Sequence, residues 1–146
     1  MIAISLTSAL AITGCGSSKK FPNNARPPTP VDLTIYINNS RVSVSPASVG
    51  AGPVIFIVSN QANHAQSVTI MPAGVAASQA LANTGPINPQ ATSQVTVNFS
   101  TPGDYTVTTA ANGTTDASLA APTNIQAATL HVGPARAASN NTLLQP

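Results

Sequence analysis

Side chains that could carry out chemistry are scarce in this sequence of 146 residues. It contains one cysteine, Cys15, two histidines, His64 and His131, and three carboxylates, all of them aspartate. A thiolate with imidazoles could bind a soft metal, and a histidine beside a carboxylate could activate a serine. However, the aspartates are scattered, and the sequence has no Gly-x-Ser-x-Gly elbow, phosphate-binding glycine loop or Cys-x-x-Cys pair. We therefore predict that the chain is not an enzyme and has no catalytic residues.

Both histidines are predicted to be surface or loop residues. His64 lies in a polar turn, and His131 alternates with Leu130 and Val132, so its side chain is expected to face solvent. A metal site needs several converging ligands. A site that combines His64 with Met71 or His131 is the less favoured alternative, and we predict no metal ligands and no bound cofactor.

The distribution of charge argues against nucleic acid as a partner. The cations Lys19, Lys20 and Arg26 all precede the expected folded region, and from Val31 onward two arginines stand against three aspartates, a net charge of −1. Such a domain has no basic stripe, and only 3% of the residues are aromatic, which leaves no stacking platform. The 42% of hydrophobic residues must build the core largely from Val, Ile, Leu and Ala.

The N-terminal segment is typical of a signal peptide. Residues 2–12 are apolar or small, too few to span a bilayer, which takes about 20 residues. The segment ends in Ile12-Thr13-Gly14-Cys15, which resembles the lipobox of bacterial lipoproteins. The resemblance implies cleavage after residue 14 and acyl chains, such as palmitate, on Cys15. It predicts a lipid anchor on the extracytoplasmic face of the cell membrane. The alternatives are a plain exported protein or a buried cysteine in an N-terminal helix.

The rest of the chain divides into a linker, a β domain and a tail. Residues 15–30 are rich in Ser, Lys, Asn and Pro and are expected to be an extended tether. Residues 31–133 are expected to form the domain, and residues 134–146, after Gly133-Pro134, a flexible tail.

The centre of the domain is predicted to be the stretch from Gly52 to Met71. Its β-branched and aromatic run 54–58 predicts a buried strand with Phe56 in the core, although the parity also allows Ile55 and Ile57 to carry it. Alternation over 66–71 predicts a second, half-buried strand. Further strands are predicted over 31–37, 41–45, 92–99, 105–109 and 125–132. Residues 46–52 read as a connection, and 75–82 as a short helix. About seven strands predict an all-β, antiparallel sandwich.

Three stretches, taken in order, resemble the cupredoxin family, the Greek-key sandwich of blue-copper proteins. They are Val49–Asn60, then Gly85–Pro89 before the strand that ends at Phe99, then Pro102–Val107. The resemblance covers about Val31 to Val132. It implies a Greek-key topology, and Tyr105 after Pro-Gly resembles the tyrosine corner of such sandwiches.

The resemblance also locates the copper ligands of the family, and this sequence lacks them. A ligand histidine stands in the pattern His-x-aliphatic-x-aliphatic, where this chain has Gln66. The ligand cysteine follows Pro-Gly-x-Tyr by four residues, a position held by Thr109, and no His, Met or Cys follows before the closing strand. We predict a binding or structural module with an unidentified protein or small-molecule partner. The alternative is a copper-binding or electron-transfer protein with a non-standard site.

Overall fold

The computed structural model describes residues 27–111 and 124–138, which form an all-β domain. Its eight strands are β1 (Val31–Ile37), β2 (Val42–Ser45), β3 (Ser48–Asn60), β4 (Gln66–Pro72), β5 (Ala82–Asn83), β6 (Thr92–Phe99), β7 (Gly103–Ala111) and β8 (Ala128–Ala135). Within the described residues, no helix is long and apolar enough to cross a membrane. The predicted signal peptide, Cys15, most of the linker and the last eight residues lie outside the described ranges.

The long strand β3 belongs to both layers of the sandwich. Its first residues, 48–51, pair with β8, and β8 continues through β7 and β4 to β5. Its remaining residues, 52–60, pair with β1 on one side and β6 on the other, and β2 lies outside β1. The change of partner falls at Gly52-Pro53. Gly52 has a φ of 133°, which a residue without a Cβ adopts most easily, and Pro53 has no N–H to donate.

The core lies between the two layers and is aliphatic apart from three rings. Phe56 and Phe99 are 0% and 1% exposed, and their ring centroids lie 6.1 Å apart in an edge-on arrangement. Tyr105 packs on Phe99, with their ring centroids 4.7 Å apart. Ile57 is 41% exposed, so the prediction that Phe56 points inward is confirmed. The Tyr105 hydroxyl donates to the Thr101 carbonyl at 2.7 Å, which confirms the predicted tyrosine corner.

The all-β class is confirmed, and both strands predicted in the stretch from Gly52 to Met71 are present as β3 and β4. β4 is more buried than the half-buried strand expected, since four of its first five residues are buried. The pairing is not antiparallel throughout. β1 and β8 both run parallel to β3, so the sheet is mixed. Both parallel pairs involve β3, with β1 two strands earlier in the chain and β8 far along it. Alternation within a strand carries no information about the direction of its neighbour.

Three local predictions are wrong. The expected connection 46–52 is mostly strand, because Ser48 to Ala51 pair with β8. The expected helix over 75–82 is a single turn of 3-10 helix, Ala77–Gln79, followed by β5. The chain is extended from Ala80, and the Leu81 N–H donates to the Ile70 carbonyl of β4 instead of to a helical carbonyl. The closing strand does not stop at Gly133-Pro134, as predicted, but continues to Ala135. Pro134 is tolerated there because it lies at an irregularity of the β3–β8 pairing, between Gly133 and Ala135, where it has no partner on β3.

Candidate functional site

Gln66 and Thr109 are brought together by the antiparallel pairing of β4 with β7. Gln66 begins β4, and Thr109 lies directly opposite Val68, two residues further along that strand. The Thr109 hydroxyl donates to Gln66 Oε1 at 2.9 Å. Gln66 is 1% exposed. The two positions that the resemblance assigns to an imidazole and a thiolate therefore hold a neutral, hydrogen-bonded pair.

The backbone of Gln66 is fixed, but its amide nitrogen is not satisfied. Gln66 and Ile87 exchange two backbone hydrogen bonds, of 3.0 and 2.8 Å. Gln66 Nε2 is buried and has no hydrogen-bond partner within the described part of the chain. A buried donor left unpaired costs about 1–3 kcal/mol.

Asn60 is a buried polar residue that the sequence interpretation missed. It is 0% exposed, and its Nδ2 donates to the carbonyls of His64, at 2.9 Å, and Ile87, at 2.8 Å. Its Oδ1 accepts from the Ala62 N–H at 2.9 Å. Asn60 therefore holds the β3–β4 turn against the segment that pairs with Gln66. An asparagine at the end of an apolar strand, which favours a turn of this kind, was the available signal.

Within the described residues, neither histidine side chain has a hydrogen bond to Gln66 or Thr109. His64 is half-buried in the β3–β4 turn. His131, on β8, is exposed, as predicted, and its Nδ1 lies 2.7 Å from Asp104 Oδ1 on β7. Asp104 and Thr109 are near opposite ends of β7. The described residues contain no group of three or more His, Cys, Asp or Glu side chains that could hold a metal ion.

Arg136 directly follows β8 and ties Thr29 of the linker to the domain, although the sequence analysis places Arg136 in a flexible tail. Its guanidinium donates to three backbone carbonyls: Gly50 at 3.2 Å, Thr29 at 2.8 Å, and Pro53. A Cβ on Gly50 would lie 2.6 Å from the Arg136 side chain, so the glycine makes room for it. Arg136 therefore holds Thr29, next to the start of β1, against β3.

No family model matches the sequence, and no curated protein matches it either. Among solved structures, auracyanin B is 18% identical with a TM-score of 0.53, and the match covers 77% of this chain and 96% of that one. The fold is cupredoxin-like. Auracyanin A, a blue copper protein from Chloroflexus aurantiacus, matches at 13% identity and a TM-score of 0.48, over 72% of this chain and all of the other. A copper-containing nitrite reductase from Thermus scotoductus matches at 16% identity and a TM-score of 0.49, over 73% of this chain and 28% of the enzyme.

The residues of this cupredoxin-like domain do not fit a blue-copper ion. Such an ion takes a thiolate and imidazoles, whereas Gln66 and Thr109 offer an amide and a hydroxyl that already bond to each other. Residues 110–127 contain no His, Met or Cys, so the segment between Thr109 and β8 supplies none of the other ligands of such an ion. Chemistry at this position is limited to hydrogen bonding.

Proposed function

We propose that the protein is a non-catalytic binding or structural module, held at the extracytoplasmic face of the cell membrane by acyl chains on Cys15. The observation that carries the non-catalytic part is the hydrogen bond between Thr109 and Gln66, the two residues at the positions that the sequence resemblance assigns to copper ligands. A hydroxyl and an amide do not change oxidation state, so the pair cannot carry electrons.

The lipid anchor rests on the sequence Ile12-Thr13-Gly14-Cys15 after an apolar segment. A single acyl chain gives only reversible membrane binding, while two or more give stable anchoring. The hydrogen bond from Arg136 to Thr29 is compatible with this arrangement, because it holds the domain-proximal end of the tether. The partner is an unidentified protein or small molecule, and the near-neutral domain gives no reason to invoke nucleic acid.

Detergent-phase partitioning of the full-length protein, with mass spectrometry of the fragment that contains Cys15, tests the anchor. The wild-type protein is expected in the detergent phase with acyl mass on Cys15. Cys15→Ala is expected to lose that mass, whereas Ser17→Ala, a matched substitution two residues away, should keep it. Wild-type protein without acyl mass on Cys15 would refute the anchor.

Metal analysis of the same wild-type preparation, after incubation with Cu(II) and removal of excess metal, tests the non-catalytic part separately. Less than stoichiometric copper is expected. One copper per chain that undergoes reversible one-electron reduction would replace the binding-module proposal with an electron-transfer function, whatever the state of Cys15.

A further inference from the structure

Strand β6 forms an open edge of the domain. It pairs with β3 on one side, and no backbone hydrogen bond joins it to another strand on its other side within the described residues. The strands at the two ends of the sheet path, β2 and β5, have four and two residues, whereas β6 has eight. β6 is therefore long enough to serve as a template for a further strand.

The pairing register shows which backbone groups of β6 point outward. The Asn60 N–H donates to the Ala91 carbonyl, so Asn60 and every second residue before it on β3 direct their backbone groups toward β6. Their partners on β6 are Ser93, Val95, Val97 and Phe99. The N–H and C=O groups of the intervening residues consequently face away from β3, and these residues are Thr92, Gln94, Thr96 and Asn98.

The outward-facing row lacks the features that protect natural edges. All four side chains of the row are exposed, and all are uncharged. The strand has no Lys, no Pro and no irregularity in its pairing with β3. Exposed edges are normally protected by charges, prolines, bulges or short length, and none of these is present here.

We propose that β6 pairs antiparallel with β6 of a second copy of this chain, around a two-fold axis at Val95. In that register Thr92 lies opposite Asn98 of the other copy, and Gln94 lies opposite Thr96. Every outward N–H and C=O of the row then has a partner, because all four residue pairs are of the hydrogen-bonded type. The layer β2-β1-β3-β6 of one copy then joins the same layer of the other copy, and the two layers form one continuous sheet.

A second copy is the occupant that the strand fits. The row is complementary to itself under the two-fold operation, as an interface between identical subunits requires. Its Thr, Gln and Asn side chains meet across the strands without like charges, and the domain as a whole has a net charge of only −1 from Val31 onward. A foreign strand would gain the same backbone bonds but no charge or pocket along the row to select it.

Sedimentation equilibrium of the full-length Cys15→Ala chain, in density-matched detergent, tests the pairing. A reversible monomer–dimer equilibrium is expected between about 10 µM and 1 mM. Thr96→Pro removes an outward N–H that has no partner among the described residues. Thr96→Lys adds a charge at the same position. Each substitution should weaken dimerisation about tenfold or more. Thr34→Lys, at an exposed position on the interior strand β1, should leave it unchanged. A monomer at every concentration, or a dimer unaffected by both Thr96 variants, would refute the proposal.

Disulfide trapping tests the register. An equimolar mixture of Gln94→Cys and Thr96→Cys chains, each also carrying Cys15→Ala, should form a mixed disulfide on mild oxidation. Opposed residues of a hydrogen-bonded pair have Cα atoms about 5.5 Å apart, within disulfide range. Thr96→Cys alone should cross-link several times less, because the two cysteines are then diagonal neighbours about 7–8 Å apart. The two-fold register would be contradicted if both samples cross-linked equally, or if only the Thr96→Cys sample cross-linked. It would also be contradicted if neither sample cross-linked.

Discussion

Strand β7 contributes one residue to each of two polar pairs that differ in almost every other respect. Near its C-terminal end, Thr109 donates to Gln66 at 2.9 Å, and Gln66 is 1% exposed. Near its start, Asp104 lies 2.7 Å from His131, and these side chains are 57% and 65% exposed. The first pair is neutral, with Gln66 buried and Thr109 half-buried, whereas the second pairs a histidine with a carboxylate in water.

The comparison separates chemical capability from structural importance. His131 and Asp104 are the residue types that catalysis and metal binding use, but solvent screens their interaction and no third group joins them. Gln66 and Thr109 have little reactivity, but they lie where the polypeptide encloses a polar site. Substitutions at the enclosed pair and its surroundings should therefore affect stability far more than substitutions at the exposed pair.

The largest effect is expected in the apolar core between the two layers. Phe56→Ala should lower the free energy of unfolding by about 3–5 kcal/mol, because it removes a fully buried ring and leaves a cavity. The control is Ile57→Ala on the same strand, which should cost less than about 1 kcal/mol since its side chain is 41% exposed. Urea unfolding measures both. Similar costs at the two positions would mean that β3 is not the central buried strand.

Asn60→Ala should have the next largest effect, about 3 kcal/mol. It leaves the carbonyl of His64 and the buried N–H of Ala62 without their present partners, and each unpaired buried group costs about 1–3 kcal/mol. The Ile87 carbonyl loses one of two hydrogen bonds and keeps the one from the Gln66 N–H. Asn88→Ala, at an exposed asparagine in the neighbouring segment, is the matched control and should be nearly neutral. A neutral Asn60→Ala in urea unfolding would show that the enclosed polar residues are not what stabilises this end of the domain.

At Gln66, size and polarity can be separated. Gln66→Ala should cost about 2 kcal/mol through the cavity it leaves. Gln66→Met keeps most of the volume and removes the unpaired Nε2, so it should be neutral or stabilising by up to about 1 kcal/mol. Thermal unfolding of the two variants shows whether the volume of the side chain or its polar amide has the larger effect on stability. If Gln66→Met is as destabilising as Gln66→Ala, the hydrogen bond with Thr109 matters more than the packing.

The exposed pair should give the smallest effect. His131→Ala and Asp104→Ala should each change the free energy of unfolding by less than about 0.5 kcal/mol, as solvent-exposed ion pairs do. A double-mutant cycle measured by urea unfolding gives the coupling between them. A coupling above about 1 kcal/mol would remove the contrast between the two pairs.

Alternation of apolar residues was sufficient to predict several elements of the fold. β1 and β6 have the predicted bounds, and Phe56 points inward as expected. The parallel neighbours of β3 could not be predicted, because strand direction depends on contacts between distant segments. The strand at Ser48–Ala51 was hidden by the glycines and Pro53, which in isolation indicate a connection.

The candidate site could be located from the sequence only through the spacing of Gln66 and Thr109 relative to the resembled motifs. That spacing does place them in contact. The buried role of Asn60 and the bonds of Arg136 to three carbonyls depend on tertiary contacts with Ile87, Thr29 and Gly50, and local sequence carries no record of such partners.

The central claim is that a cupredoxin-like fold here holds a hydrogen-bonded amide and hydroxyl in place of a copper centre. Titration of the full-length protein with Cu(II), followed by visible absorption, tests it most directly. We expect the solution to lack the intense thiolate-to-copper absorption, in wild type and in Gln66→Met alike, because Thr109 supplies no thiolate. An intense blue species that saturates at one copper per wild-type chain would contradict the claim.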